Sequence, residues 1–265
     1  DQYFTTQIGD GAAIAVATGL PVVDQLRTTD IYAGGQGAPI APIADKYLFP
    51  DYGAFLNLGG IANVCCKVTD DQLLAGDISG ANQILDLLAA TYDKPYDAGG
   101  EIARSGSYLP ELADQLTAIP YHHLPCPKSL DNGWVREQLW PLIKNYPAEA
   151  KDKMHTFCHF LATEIHRTFI ALAKSGGMKA QPVRVLVTGG GTHNHFLLEC
   201  LRNLPQDDQF PFGYEAAEPQ LADLKEAALV ALSALLRYRG QPNVLASATG
   251  ADRDTINGAL YLPSP

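Results

Sequence analysis

The sequence predicts an α/β fold, on three observations. Val183 to Val187 is a β-branched and apolar run interrupted only by Arg184, typical of a buried parallel strand. Lys151 to Lys174 carries Phe157, Phe160, Leu161, Ile165, Phe169 and Leu172 near helical spacing and ends at Gly176-Gly177. Strand-like runs alternate with such helical patterns along the chain, the signature of α/β architecture.

The elements follow in order. Residues 3–8 read as a short strand entering the turn Gly9-Asp10-Gly11. Ala12 to Thr18 is a small-residue helix ending at Gly19, and Leu20 to Val23 a strand. Arg27 to Ile31 leads into the loop Gly34-Gly-Gln-Gly-Ala-Pro39. Ala54 to Leu58 and Ile61 to Val68 form a meander split by Gly59-Gly60. The run after Leu74 ends on Asp77 at a glycine turn. Ile84, Leu85, Leu87 and Leu88 then mark a helix that Ser79 or Asn82 is placed to cap. Residues 92–135 are rich in turns, with one short helix near Leu109 to Leu116. Asn132 to Asn145 reads as a helix broken by Pro141. Phe196 to Leu204 follows the Gly189 turn as a helix, and Asp223 to Arg239 is the last one.

The 265 residues are 46% hydrophobic and 18% charged, enough to bury a substantial core in one large or two small domains. The net charge of -10 is dispersed and includes no basic stripe, which argues against nucleic acid as a partner. No apolar stretch of membrane-spanning length occurs, and no signal peptide is recognisable. The cysteines, Cys65, Cys66, Cys126, Cys158 and Cys200, are odd in number without a CxxC pair. They read as free thiols in a reducing compartment, so a cytoplasmic location is expected.

Two glycine turns carry the chemistry. Leu74-Ala-Gly-Asp-Ile-Ser-Gly-Ala-Asn82 holds Asp77, and Val187-Thr-Gly-Gly-Gly-Thr-His-Asn194 repeats the design without the acid. A strand, a glycine turn and a helix start place bare backbone N–H groups where a phosphate can sit. Asp77 there is either a general base or metal partner, or a helix-capping carboxylate. Gly189-Gly190-Gly191 is neither a Walker loop nor a dinucleotide fingerprint, and it also fits tight helix–strand packing. Arg27 is placed to clamp a phosphate or, with Asp30, to form a surface ion pair. His155, His159 and His166 share one helix face; without the glutamate of HExxH they read as a packed face rather than a metal site.

At these residues the chain resembles the anhydro-N-acetylmuramic acid kinase family. The likeness runs through Gln7-Ile-Gly-Asp10, Gly34-Gly-Gln-Gly-Ala-Pro39, Leu56-Asn-Leu-Gly-Gly-Ile-Ala-Asn63, the Asp77 turn, Lys94-Pro-Tyr-Asp97, the Gly189 triplet with Asn194, Glu226-Ala227 and Ala248-Thr-Gly-Ala251. The resemblance implies an actin-like, ribonuclease H-like ATPase fold of two α/β lobes. Residues 1–38 with 244–265 are expected in the first lobe and 39–243 in the second.

It also implies ATP-dependent conversion of 1,6-anhydro-N-acetylmuramic acid to N-acetylmuramic acid 6-phosphate in cell-wall recycling, with water opening the ring. Asp77 is then the catalytic base and a metal contact, with Arg27 a catalytic and substrate contact. Gly80, Asn82, Gly189, Gly190, Gly191 and Asn194 bind nucleotide, and Gln36, Asn63 and Glu226 bind sugar. ATP and Mg²⁺ are the implied cofactors, and a homodimer the implied assembly. Two departures stand out. The family's DTGPGN turn reads Asp77-Ile-Ser-Gly-Ala-Asn82 here, and the family's serine- and glycine-rich phosphate loop, expected upstream of Gln7, has no counterpart. The first lobe is therefore expected to be incomplete in this chain, as in a fragment starting at Asp1. The competing readings are a non-catalytic sugar- or nucleotide-binding module and a different sugar kinase of the same fold.

Overall fold

The computed structural model describes residues 8–69 and 72–263. Gln7 and nearly all of the strand expected over residues 3–8 lie outside them. Helix α1 (Gly11–Thr18) starts where the Asp10 side chain accepts from the Ala13 N–H, and it ends at Gly19 in the left-handed conformation. Strand β1 (Val22–Asp24) follows. The segment expected to be only a lead-in contains helix α2 (Thr28–Tyr32), and a further helix, α3 (Pro42–Leu48), follows the glycine loop with proline in its first turn.

The meander is β2 (Ala54–Leu58), β3 (Ile61–Lys67) and β4 (Leu73–Gly80). Asp77 therefore lies inside a strand rather than on a turn, correcting the sequence expectation. A register shift between Ala62 and Asn63 accommodates one extra residue of β4, so pairing with β3 continues to Gly80. Helix α4 (Asn82–Ala89) begins without a side-chain cap, so neither Ser79 nor Asn82 plays that part.

Residues 92–135 hold the unanticipated α5 (Glu101–Arg104), α6 (Pro110–Thr117) at the place of the expected short helix, and α7 (Asn132–Trp134), which opens the helix expected from Asn132. Helix α7 continues through a π-helical stretch, Val135–Leu139, into α8 (Trp140–Asn145). Pro141 thus sits in the first turn of α8, where its missing N–H is tolerated, and does not break the run. Helix α9 (Ala150–Ser175) and strand β5 (Val183–Thr188) fall where the pattern put them. Next come α10 (His195–Arg202), the unanticipated strand β6 (Phe212–Ala216), α11 (Pro219–Tyr238), α12 (Ala246–Thr249) and β7 (Ala259–Tyr261).

The main sheet has the order β4-β3-β2-β5-β6. The β2–β3 and β3–β4 pairs are antiparallel, and β2–β5 and β5–β6 are parallel. In chain order the strands read 3-2-1-4-5 with the second reversed, which is the ribonuclease H-like sheet of actin-like ATPases. Leu56, Leu58, Val64, Ile78, Val185 and Val187 belong to one core cluster with α4, α9 and α10. Phe55, Cys65, Leu73, Ala75 and Leu186 belong to another, with Ile43 and Ala44 of α3 and Leu229 and Leu236 of α11. Strand β1 pairs with β7 in a separate antiparallel ribbon, which joins the two ends of the described chain. Among the described residues no helix is long and apolar enough to cross a membrane.

Candidate active site

Side chains alternate between faces along a strand, so a face that is apolar at one level can turn polar two residues on. That change happens on four strands at once. Ala75, Cys65, Phe55 and Leu186 form one row across the sheet, each paired with the next. One step along, the row is Asp77–Asn63–Asn57–Thr188, again each opposite the next. These four polar residues line a cavity of about 550 Å³. Arg27, the segment Ala38 to Ala41, and Lys225, Glu226, Leu229 and Val230 of α11 form its other walls.

Asp77 is held from three sides by a distant segment. Its carboxylate Oδ2 accepts from the Leu130 N–H at 2.8 Å. Its own N–H donates to the Lys128 carbonyl at 2.8 Å, and its carbonyl accepts from the Tyr121 hydroxyl at 2.9 Å. It is therefore not a capping residue. Burial pushes the Asp77 carboxyl up to about 6, against the opposing pull of the Leu130 N–H, Arg27 and Lys128. A carboxylate poised there is matched to general-base work near neutrality.

Arg27 sits at the start of α2 and donates from Nη1 to the Gly37 carbonyl at 2.7 Å. The surface ion pair with Asp30 does not form. Asp30 is fully buried instead, accepting from the Gly37 N–H at 2.8 Å and from the Thr249 hydroxyl at 2.7 Å. The glycine loop is thus folded around one carboxylate. A Cβ at Gly35 would collide with that carboxylate, a close approach that requires glycine.

A second cavity of about 640 Å³ is lined by Asn82, Leu85, Asp86, Tyr96 to Gly99, Gly190, Gly191 and His193 to His195. It shares Gly190 with the first, so the two meet at the glycine turn. Gly189 has φ +87°, and a Cβ on it would lie 2.7 Å from the Leu58 carbonyl oxygen. The Asp77 region offers no matching bare N–H groups, contrary to the sequence reading. The Ala81, Asn82 and Gln83 N–H groups donate to the Gly59 and Gly60 carbonyls.

The structure gathers Arg27, Asn63, Asp77, Glu226, Gly189 and Gly190 around one cavity, and Asn82, Gly190, Gly191 and Asn194 around the other. Asn194 also caps α10 by accepting from the Leu197 N–H at 2.9 Å, and Asn82 donates to the Leu58 carbonyl. Gly80 lines neither cavity; its bare Cα packs against Val135 and Leu139. Gln36 lines neither as well, its side chain reaching the Pro127 carbonyl at 3.4 Å. Asn57, Thr188 and Lys225 were missed, although the two-residue step from Phe55 and Leu186 marks the first two.

No group of three His, Cys, Asp or Glu side chains among the described residues is arranged to hold a metal. His155 and His159 pack on Phe196, and His166 meets the Tyr214 hydroxyl at 2.9 Å.

The family model for anhydro-N-acetylmuramic acid kinase matches residues 1–263. A relative of that name from Sulfurovum sp. is 32% identical over 98% of this chain and 70% of its own length. Another from Shewanella sp. is 33% identical over 97% of this chain and 69% of its own. Among solved structures, a xylulose kinase from Rhodospirillum rubrum aligns at a TM-score of 0.38 and 16% identity, over 85% of this chain and 44% of that one. A likeness this low decides nothing about the fold, which rests on the sheet order.

Proposed function

Because the chain belongs to the anhydro-N-acetylmuramic acid kinase family, we propose that its two joined cavities hold the amino sugar and ATP, with Gly190 between them. The protein is an ATP-dependent kinase of cell-wall recycling that acts on 1,6-anhydro-N-acetylmuramic acid. The observation that carries the site assignment is Asp77, raised towards neutrality at the end of a polar row facing the first cavity.

Asp77 takes a proton from a water that adds to C1 of the sugar. The C1–O6 bond opens, and O6 accepts the γ-phosphoryl group as ADP leaves. Arg27 meets developing phosphate charge, while Asn57, Asn63, Thr188 and Glu226 are available to orient sugar hydroxyls. The glycine turn lets the backbone approach the phosphates.

Mg²⁺ usually keeps water and substrate phosphate among its ligands and needs few from protein. The donor set fits that pattern, with Asp77 and Glu226 as the carboxylates of the first cavity. Asp77 would hold the ion together with the ATP phosphates. When bound, the ion supplies charge neutralisation.

We also take the two lobes to be residues 1–38 with 244–265, and 39–243. The β1–β7 pairing and the Asp30–Thr249 bond, which join the ends of the chain, support that division.

The deciding experiment incubates the full-length protein with ATP, Mg²⁺ and 1,6-anhydro-N-acetylmuramic acid. N-acetylmuramic acid 6-phosphate is the expected product. Turnover of ordinary hexoses without turnover of the anhydro sugar would move the protein to a different sugar kinase activity.

A further inference from the structure

Two elements make the outer wall of the sugar cavity, and one buried contact joins them. Ala38 to Ala41 run directly into α3, and Glu226, Leu229 and Val230 project from α11. Asp45 of α3 and Lys225 of α11 meet there, Nζ to Oδ1, at 2.8 Å. Asp45 is 2% exposed and Lys225 8%. The separation is that of a buried ion pair.

The ammonium also lies over the Phe55 and Phe49 rings at 5.5 and 5.8 Å. Phe55 precedes Asn57 of the polar row by one side-chain step. A crevice of about 10 Å³, lined by Pro39, Ala41, Asp45, Asn57, Asn63 and Lys225, lies beside the pair, and Lys225 also lines the larger cavity. The crevice has room for about one water. A buried ion pair is a poor source of stability, since desolvation offsets the attraction. Apolar residues would fill the same space, but without fixing α3 against α11 in one register.

Resting on the kinase reading above, we propose that the Asp45–Lys225 pair is a positioning device that sets the sugar-binding wall: it holds the Ala38–Ala41 segment and Glu226 at the separation the amino sugar requires. Neither residue is assigned a part in the chemistry: Asp45 acts through the wall, and Lys225 is itself a member of that wall, held in place by Asp45.

The test compares wild type, Lys225→Met, Lys225→Arg and the double variant Asp45→Leu/Lys225→Met in the full-length protein. Each single neutralisation strands a buried charge, so the double variant separates positioning from folding. We expect the double variant to melt no lower than wild type. Its KM for the anhydro sugar should rise roughly tenfold, with kcat and the KM for ATP within about twofold, the pattern of lost sugar binding alone. Lys225→Arg keeps the pair and should recover most of the sugar KM.

A sugar KM within about twofold of wild type in the double variant overturns the proposal, as does a parallel loss in both KM values and kcat. An arginine variant as poor as methionine overturns it too. Absence of wild-type turnover overturns the kinase reading instead. Calorimetric sugar affinity, compared across the same variants, then judges the pair: a tenfold loss in the double variant sustains it, and unchanged affinity refutes it.

Discussion

The Leu130 backbone N–H donates to Asp77 Oδ2 at 2.8 Å, across 53 positions of sequence. One oxygen of the proposed base is thereby fixed by a segment that the strand pattern around Asp77 does not announce. That contact opposes burial, which still dominates and leaves the carboxyl at about 6. The consequences are measurable.

Asp77→Asn should lower turnover by roughly 10²- to 10⁴-fold, the usual contribution of a positioned general base. ATP affinity should stay within about threefold, because the second cavity is lined by other residues. Steady-state kinetics beside nucleotide titration checks both; near-normal turnover would remove Asp77 from the mechanism.

The same variant should be more stable at neutral pH. The folded pKa of Asp77, about 6, lies above the ordinary 3.8, so the folded state binds the extra proton between those values. Its stabilising contribution is complete below pH 3.8 and is lost as pH rises through 6. At pH 7 the ionised, buried carboxylate costs up to about 3 kcal/mol, which the neutral amide avoids. Denaturant melts at pH 5 and pH 7.5 should show the gap between wild type and variant widening at the higher pH.

For the wild type, kcat/KM should climb with pH and level off above about 6, since the base must be ionised to take a proton. A profile flat from pH 5 to 8 would contradict the assignment.

Gly190→Ala is a clean probe of the shared wall. A Cβ there meets nothing nearer than Asn82 Nδ2 at 3.7 Å, whereas one at Gly189 would clash with the Leu58 carbonyl. The alanine variant should fold normally and bind ATP several-fold more weakly by calorimetry. Gly189→Ala should instead lose stability, by about 1–3 kcal/mol for a strained backbone position.

Asn63→Ala removes one member of the polar row without touching the core rows. It should reduce kcat/KM for the sugar about tenfold, equivalent to one hydrogen bond to substrate. The melting temperature should move little, because Asn63 is only half-buried.

Much of this was legible beforehand because it is local. Two apolar runs split by Gly59-Gly60 marked β2 and β3, the long apolar helical face marked α9, and the glycine strings with Asp77 and Arg27 carried the family likeness. Where the sequence reading failed, non-local hydrogen bonds were the reason. Pairing with β3 drew Asp77 into a strand, and the Gly59-Gly60 carbonyls occupied the N–H groups expected to meet phosphate. Asp30 turned from a surface ion pair into the buried centre of the glycine loop through bonds to Gly37 and Thr249. Gly80 serves the packing of Val135 and Leu139.

The sequence by itself determined the α/β class, the family, and the residue types that carry the chemistry, because side-chain period and glycine placement are written residue by residue. Only the tertiary structure decided that Asp77, Asn63, Asn57 and Thr188 stand in one row, that Leu130 holds the proposed base, and that Lys225 of the cavity wall meets Asp45. Strand register and burial join residues far apart in the chain. The energies that fix them, pairing across the sheet and desolvation of charge, exist only once the chain has folded.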